Sequence, residues 1–452
     1  RYLSKGEVEQ ELREVKKLQR NCKDREKYWR VKCEEFIEME EADHTDLCNM
    51  FHTENIEMVH RNGKHKLVGF VNLGETHDIM SKISDGTSSP HDQLATHVLQ
   101  FIFLSDNGFR FPIAQFPSAS CTPSALYYLF WEGVIKMQEY GFVIYWCLLD
   151  GADVNRQFIK LHFKDQDPVE KKFVVENIFT GNPMVFIMDP KHNIKKIRNN
   201  ILKSNDITKK PRCLQKGNKT ITWAQFKAAY DWDQNSFSLP LHEKLTLQHF
   251  ELDPSSKMRN HLAENVLDSK MLFLMQKYQE NLNEGGKDGS ALDATIELLS
   301  HTSNIVGLFG DKLFISSTSD SRLAKLDNFY KFMMNWREET KDSNNSFISS
   351  KLFFDLQSMC LGFQAIVHLK LTRFPSSAIK PAIVNQDVAE NHFCQIRACN
   401  GQNNNPTFAQ QQSTQNSIRL GQTTISRKSN AGNLSTSNFT SCSLPMSCSK
   451  KS

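Results

Sequence analysis

The chain lacks the features that most simply assign a protein to a class. It has 11 cysteines but no Cys-x-x-Cys pair, which argues against a zinc module and against a secreted disulfide framework. It has no G-x-x-x-x-G-K-[ST] loop, so nucleotide binding by a P-loop is excluded. No apolar run approaches membrane-spanning length, and the amino terminus is charged and unlike a signal peptide; a soluble, non-membrane protein is expected. Neither sign of charge dominates: the formal net charge is +4 over 452 residues and the isoelectric point is about 8.4. This mild basicity is compatible with nucleic acid without being diagnostic of it. What remains is 39% hydrophobic and 10% aromatic residues, enough for a real core in a chain long enough for two or three domains.

The most informative stretch is Gly141–Arg156, GFVIYWCLLDGADVNR. Phe142–Leu149 is an unbroken apolar run of strand length, suited to a strand buried on both faces. It ends in Asp150-Gly151-Ala152. A carboxylate where a central strand meets a small-residue turn lies at the carboxyl edge of a sheet, where α/β folds place ligands. The bland alternative is that Asp150 caps the next helix.

Upstream, residues 1–45 are rich in Glu, Lys and Arg, with Val8, Leu12, Val15 and Leu18 on one stripe; this predicts a long helix or short coiled coil, with a solvated surface helix equally open. Arg61-Asn62-Gly63-Lys64 between apolar segments predicts a hairpin. His97–Leu104 reads as a strand. Ser124–Tyr140 has the spacing of an amphipathic helix that Gly141 can end.

Val185–Met188 is a second buried strand ending in an aspartate, Asp189. With Pro190 behind it, Asp189 reads first as a helix cap and second as a weak metal ligand. The helix that follows, KHNIKKIRNNIL, puts Ile194, Ile197 and Ile201 on one side. Lys191, Lys195, Lys196 and Arg198 lie opposite or flanking, where they would be solvated or would contact DNA phosphates. From about residue 205 to 371 the periodicities are mostly helical. Gln386–Arg397, QDVAENHFCQIR, holds Asp387 and Glu390 three residues apart on a helix, an arrangement that a first-turn acidic bias also explains. Beyond Asn400-Gly401 the chain is polar, and from about Thr423 its composition predicts disorder.

Several blocks together, in order and spacing, resemble the P-element transposase family, including the THAP-domain transposases: LVGFVNLGE (67–75), ATHVLQFIF (95–103), FWEGV (130–134), LLDGADVNRQF (148–158), MDPKHNIKKIRN (188–199), SKMRNHLAENVL (256–267) and QDVAENHFCQIRACNGQNNNP (386–406). The resemblance implies an α/β fold: an RNase H-like domain interrupted by a large helical insertion. On that basis residues 1–50 form an amino-terminal helical segment, 51–205 the first part of the RNase H-like domain, 206–375 the insertion, 376–422 the returning acidic helix and 423–452 a disordered tail.

It further implies a metal-dependent transposase that cleaves and joins double-stranded DNA, a homo-oligomer, a nuclear location, and a two-metal Mg²⁺ site whose hard oxygen ligands are carboxylates. Asp150 matches the second catalytic carboxylate and Glu390 the third, both as metal ligands. The insertion binds a guanine nucleotide (GTP) in the family, and Asp387 is the candidate link between that ligand and the acidic helix.

The chain departs from the family in two places. No Cys/His pattern of a THAP module lies in residues 1–60. The first-strand aspartate, expected in a D-E-M-x-[IV]-like box shortly before Leu67, is missing: Phe51–Lys66 holds only Glu54 and Glu57, and Asp46 is the nearest substitute. The expectation is therefore that the start of strand one is deleted and that catalysis is impaired. The alternative function is a catalytically inactive DNA- or protein-binding factor on the same fold.

Overall fold

The computed structural model describes residues 35–40, 57–61, 64–68, 71–74, 94–105, 110–119, 121–204 (except 165), 212–401 (except 342 and 344) and 406–419. The stripe at Val8–Leu18, Asp46 and the tail from Thr423 lie outside them.

In chain order the sheet-forming half contains β1 (Glu35–Glu40), β2 (Glu57–Arg61), β3 (Lys64–Val68), β4 (His97–Leu104), β5 (Arg110–Ser118), α1 (Pro123–Glu139), β6 (Ile144–Leu149), α2 (Asp153–Phe163), β7 (Val174–Glu176), β8 (Pro183–Met188) and α3 (Pro190–Leu202). The insertion contains β9 (Leu214–Lys216), β10 (Lys219–Ile221), α4 (Trp223–Ser236), α5 (Pro254–Met258), α6 (Asn260–Leu267), α7 (Ser269–Glu284), α8 (Asp293–Gly310), α9 (Ser321–Glu339) and α10 (Ser350–Arg373). The chain then returns through α11 (Asp387–Cys399) and α12 (Phe408–Arg419).

The main sheet has six strands in the order β5-β4-β1-β6-β8-β7. β1 runs parallel to β6 and antiparallel to β4, and β6 runs parallel to β8. Period-two alternation assigns the two faces. From β6, Trp146 and Leu148 point to one core while Cys147 and Leu149 point to the other; from β8, Val185 and Ile187 oppose Phe186 and Met188 in the same way. One face is covered by α1 and α2, the other by α3 and the insertion.

Two expectations about strands need correction. Strand one is not truncated. It is β1, lying within the segment expected to be helical, and its sequence EFIEME supplies Phe36, Ile37 and Met39 to a strand held between two buried neighbours. Tertiary pairing outweighs the helical preference of its glutamates. The hairpin at Asn62-Gly63 forms as expected, but β2 and β3 make a separate two-stranded sheet and do not begin the main one. β5, whose Pro112 and Pro117 mask its strand character in the sequence, takes the sheet edge, the place where missing amide donors are tolerated.

The insertion is not a detached module. The apolar residues of α3, α8, α9 and α10 form one continuous core with the sheet face. α10 is long and apolar enough to cross a membrane by length and composition, contrary to the expectation that no segment is, and most of it is buried inside the fold. It lies against β8 so closely that a Cβ on Gly362 would sit 2.9 Å from the Phe186 carbonyl oxygen. Ser358 accepts from the Met188 amide at 3.1 Å and donates to the Phe186 carbonyl at 3.3 Å, supplying partners where short β7 no longer covers the edge of β8. The helical reading of Lys257–Met275 resolves into three pieces: α5 and α6 meet at Arg259, and Asp268 caps α7 through the amides of Lys270 and Met271. The polar segment after Asn400 is not wholly irregular, because α12 docks its Gln411 amide on the Gln115 side chain of β5 at 3.0 Å.

Between α1, α2 and β8, His162 is enclosed by rings: the centroids of Tyr127, Phe186 and Phe158 lie 4.6, 4.6 and 4.7 Å away. Its Nδ1 contacts the Phe158 carbonyl oxygen at 2.8 Å, while Nε2 has no hydrogen-bond partner. Burial depresses its pKa to about 4. A depressed pKa means that the unfolded state binds the proton more readily, so stability is present above the unfolded value of 6.5 and is lost as pH falls toward 4. His162→Phe is expected to flatten the decline in urea midpoint between about pH 6.5 and 4; a decline as steep as in the unsubstituted protein would count against this origin.

Candidate functional site

The carboxyl ends of β6 and β8 lie side by side, since Leu149 pairs with Met188. Asp150 follows β6, Asp189 follows β8, and α11 brings Asp387 and Glu390 to the same edge. All four carboxylates are buried.

Asp150 does not cap α2. That position is held by Ala152, without a side-chain cap. Instead Asp150 Oδ1 accepts from the Ala152 amide at 2.9 Å and from the Asn155 side-chain amide at 2.7 Å, which fixes the carboxylate against its own turn. Asp189 does cap α3: its Oδ1 accepts from the Lys191 amide at 2.8 Å, with Pro190 in the first turn. Its other oxygen accepts from the Gln386 amide at 3.3 Å and so also holds the entry to α11.

The residue that links these groups is His192, which nothing in its local sequence sets apart from the rest of α3. It stands three positions after Asp189, on the same side of α3. Its Nε2 meets Glu390 Oε1 at 2.9 Å, its Nδ1 lies 3.8 Å from Asp189 Oδ2, and the field of Asp150 reaches it. Burial, reinforced by Lys195, lowers its pKa to about 4. Burial raises that of Glu390, against the opposing pull of Lys195, Lys191 and Arg397. Asp387 is ion-paired with Lys191 and its other oxygen has no hydrogen-bond partner; burial raises its pKa to about 7.

The basic face of α3 is therefore turned inward. Lys191 serves Asp387. Lys196 donates to the Gly151 carbonyl at 3.0 Å and pairs with Asp355 at 3.3 Å. Lys195 is buried, and Arg198 is fully buried, with Nη2 donating to the Lys257 carbonyl at 2.7 Å. Lys191, Lys195, Lys196 and Arg198, expected to be solvated or to contact phosphates, are thus buried or paired within the fold: in a sheet edge crowded with acids, the helix's cations are drawn to internal acceptors. Asp387, the candidate link between a guanine nucleotide and the acidic helix, faces Lys191.

Nor does this arrangement fit a two-metal centre. Among the described residues, no three His, Cys, Asp or Glu side chains are placed to hold a metal ion. α11's two acids already have partners in Lys191 and His192, and Asp150 is held by amides. β1 contributes no aspartate. It reads Ile37-Glu38-Met39 where the family box has D-E-M, and Ile37 pairs with Cys147, in mid-sheet. Met39 pairs with Leu149, so the next residue, Glu40, continues β1 at the register of Asp150. Glu40 is thus the acidic residue that β1 places in register next to Asp150, whereas Glu54 and Asp46 lie outside the described residues and Glu57 begins β2.

A sheet ordered in this way, with acids at the carboxyl edge of its parallel strands and a helical insertion before the last acidic helix, defines an RNase H-like fold. The TNP-like RNase H N-terminal domain model matches residues 37–162, beginning within β1, and the TNP-like RNase H C-terminal domain model matches residues 383–414, spanning α11. These two matches, over segments that flank the insertion, identify the sheet-forming part of the chain as a TNP-like RNase H domain. It is similar in fold to the Drosophila P element transposase strand transfer complex, with a TM-score of 0.64 and 14% identity over 86% of this chain and 77% of that one. No match was found among curated proteins.

Proposed function

We propose that the protein is a DNA-binding member of the transposase fold whose metal-dependent cleavage and joining are impaired. One observation carries this reading: the two acids of α11 are already partnered by Lys191 and His192 of α3. Divalent cations held close together need several ionised oxygens to offset their repulsion. Here Lys191 compensates Asp387, an imidazole occupies Glu390, and burial favours the neutral form of both acids.

DNA binding draws support from the fold, whose solved relative is a strand transfer complex. With α3 turned inward, phosphate contacts fall to exposed cations such as Lys160, Lys164, Lys171 and Lys172, on α2 and in the loop after it. Binding of a double-stranded oligonucleotide should weaken by about a hundredfold or more between about 50 and 200 mM salt. It should be the same in Mg²⁺ and in EDTA once ionic strength is matched. Affinity that collapses in EDTA would show that a bound cation organises the DNA site.

A further inference from the structure

Asp355 lies in the second turn of α10, the last helix of the insertion, and is fully buried. It does not face other insertion helices through its carboxylate. Its two oxygens accept from Arg156 Nε and Nη2, each at 2.8 Å, in the fork-to-fork geometry that fixes both partners. Arg156 belongs to α2, directly after the Asp150 turn. One oxygen also pairs with Lys196 of α3, whose ammonium donates to the Gly151 carbonyl. Three elements far apart in sequence thus meet over one peptide. A Cβ on Gly151 would overlap the Lys196 ammonium, come within 2.5 Å of Asp355 Oδ2 and within 3.0 Å of Arg156 Nη2. Glycine at 151 is the residue that lets this triad close over the turn.

We infer that Asp355 is a positioning residue through which the helical insertion sets the conformation of the Asp150 turn. The chain of contacts is short. Asp355 orients Arg156 and Lys196; Lys196 holds the Gly151 carbonyl; and the turn so held presents the Ala152 amide and the Asn155 side chain to Asp150 Oδ1. Without the Asp355 charge, Arg156 and Lys196 lie beside one another with their shared acceptor gone, and their repulsion falls on the Gly151 peptide. Because α10 also lies against β8 through Gly362 and Ser358, a displacement of the insertion is transmitted to this turn and is not absorbed in a loop. The importance of the turn rests on the transposase-fold reading; the contact itself does not.

Amide hydrogen exchange on the full chain, without DNA or metal, tests the coupling independently of catalysis. Asp355→Asn keeps the shape and removes the charge. Loss of a charge-assisted pair is expected to speed exchange of the amides in 151–156 by on the order of 10–100-fold, with β8 (183–188) and α8 changed far less. Leu356→Ala, the next residue on α10 and also buried, is the control for simple loosening. It should speed exchange in α10 and β8 without singling out 151–156. Equal protection of 151–156 in Asp355→Asn and the unsubstituted chain, or a change no larger than in Leu356→Ala, would overturn the inference. Should Asp355→Asn fail to fold, Gly151→Ala approaches the triad from the other side. By reciprocity it must speed exchange in the first two turns of α10, and unchanged exchange there counts equally against the proposal. A chain that cleaves no DNA leaves this result intact, and a failed coupling leaves the proposed function intact.

Discussion

Arg156→Ala is expected to destabilise the protein by about 3–5 kcal/mol, because breaking a buried ion pair from one side leaves the other charge uncompensated. That is a large share of the roughly 5–15 kcal/mol that holds a domain folded. Arg156 is 9% exposed, and the carboxylate it serves is completely enclosed. After its removal Asp355 keeps only Lys196, at 3.3 Å and from one side. The contact with Asp153 at 2.6 Å adds little to the loss, since Asp153 is exposed and also pairs with Lys351. Arg156→Lys should recover only part of the stability, as a single ammonium cannot serve both oxygens of Asp355. Urea unfolding measures both. A loss below about 1 kcal/mol for Arg156→Ala would mean that solvent reaches Asp355 and compensates it.

The parts of the fold legible in the sequence were those written in local pattern. The apolar runs ending at Asp150 and Asp189 are β6 and β8, and the helical spacing of Ser124–Tyr140, ended at Gly141, is α1. The cap at Asp189 follows from an aspartate before a proline. β1 was hidden because EFIEME, with its three glutamates, looks like part of the charged helix expected before it; only its neighbours β4 and β6 make it a strand. β5 was hidden by two prolines that an edge strand tolerates. The direction of α3 was misread for a general reason. A helix with isoleucines on one side and cations on the other normally shows the cations to water, and nothing local reveals that buried carboxylates wait on that side. Asp387 and Glu390 lie almost 200 positions away from Lys191 and His192. Asp355 offered no signal at all, since its partner Arg156 is 199 positions distant. Of the site, the acids were readable from resemblance, while the groups that partner them were not.

An RNase H-like edge whose acids are partnered from within is expected to bind DNA without cutting it efficiently. The most direct measurement is cleavage of end-labelled double-stranded DNA by the full chain in Mg²⁺, beside Glu390→Gln and Asp150→Asn, with binding of the same DNA confirmed for each. All three are expected to bind, and any cleavage by the unsubstituted chain to stay within about tenfold of the two variants, because Glu390 and Asp150 already engage His192 and the turn amides and contribute little to a two-metal centre. Mg²⁺-dependent cleavage by the unsubstituted chain that falls by about a hundredfold or more in Glu390→Gln would contradict it, and would show that His192 and Lys191 release their carboxylates when DNA and metal arrive.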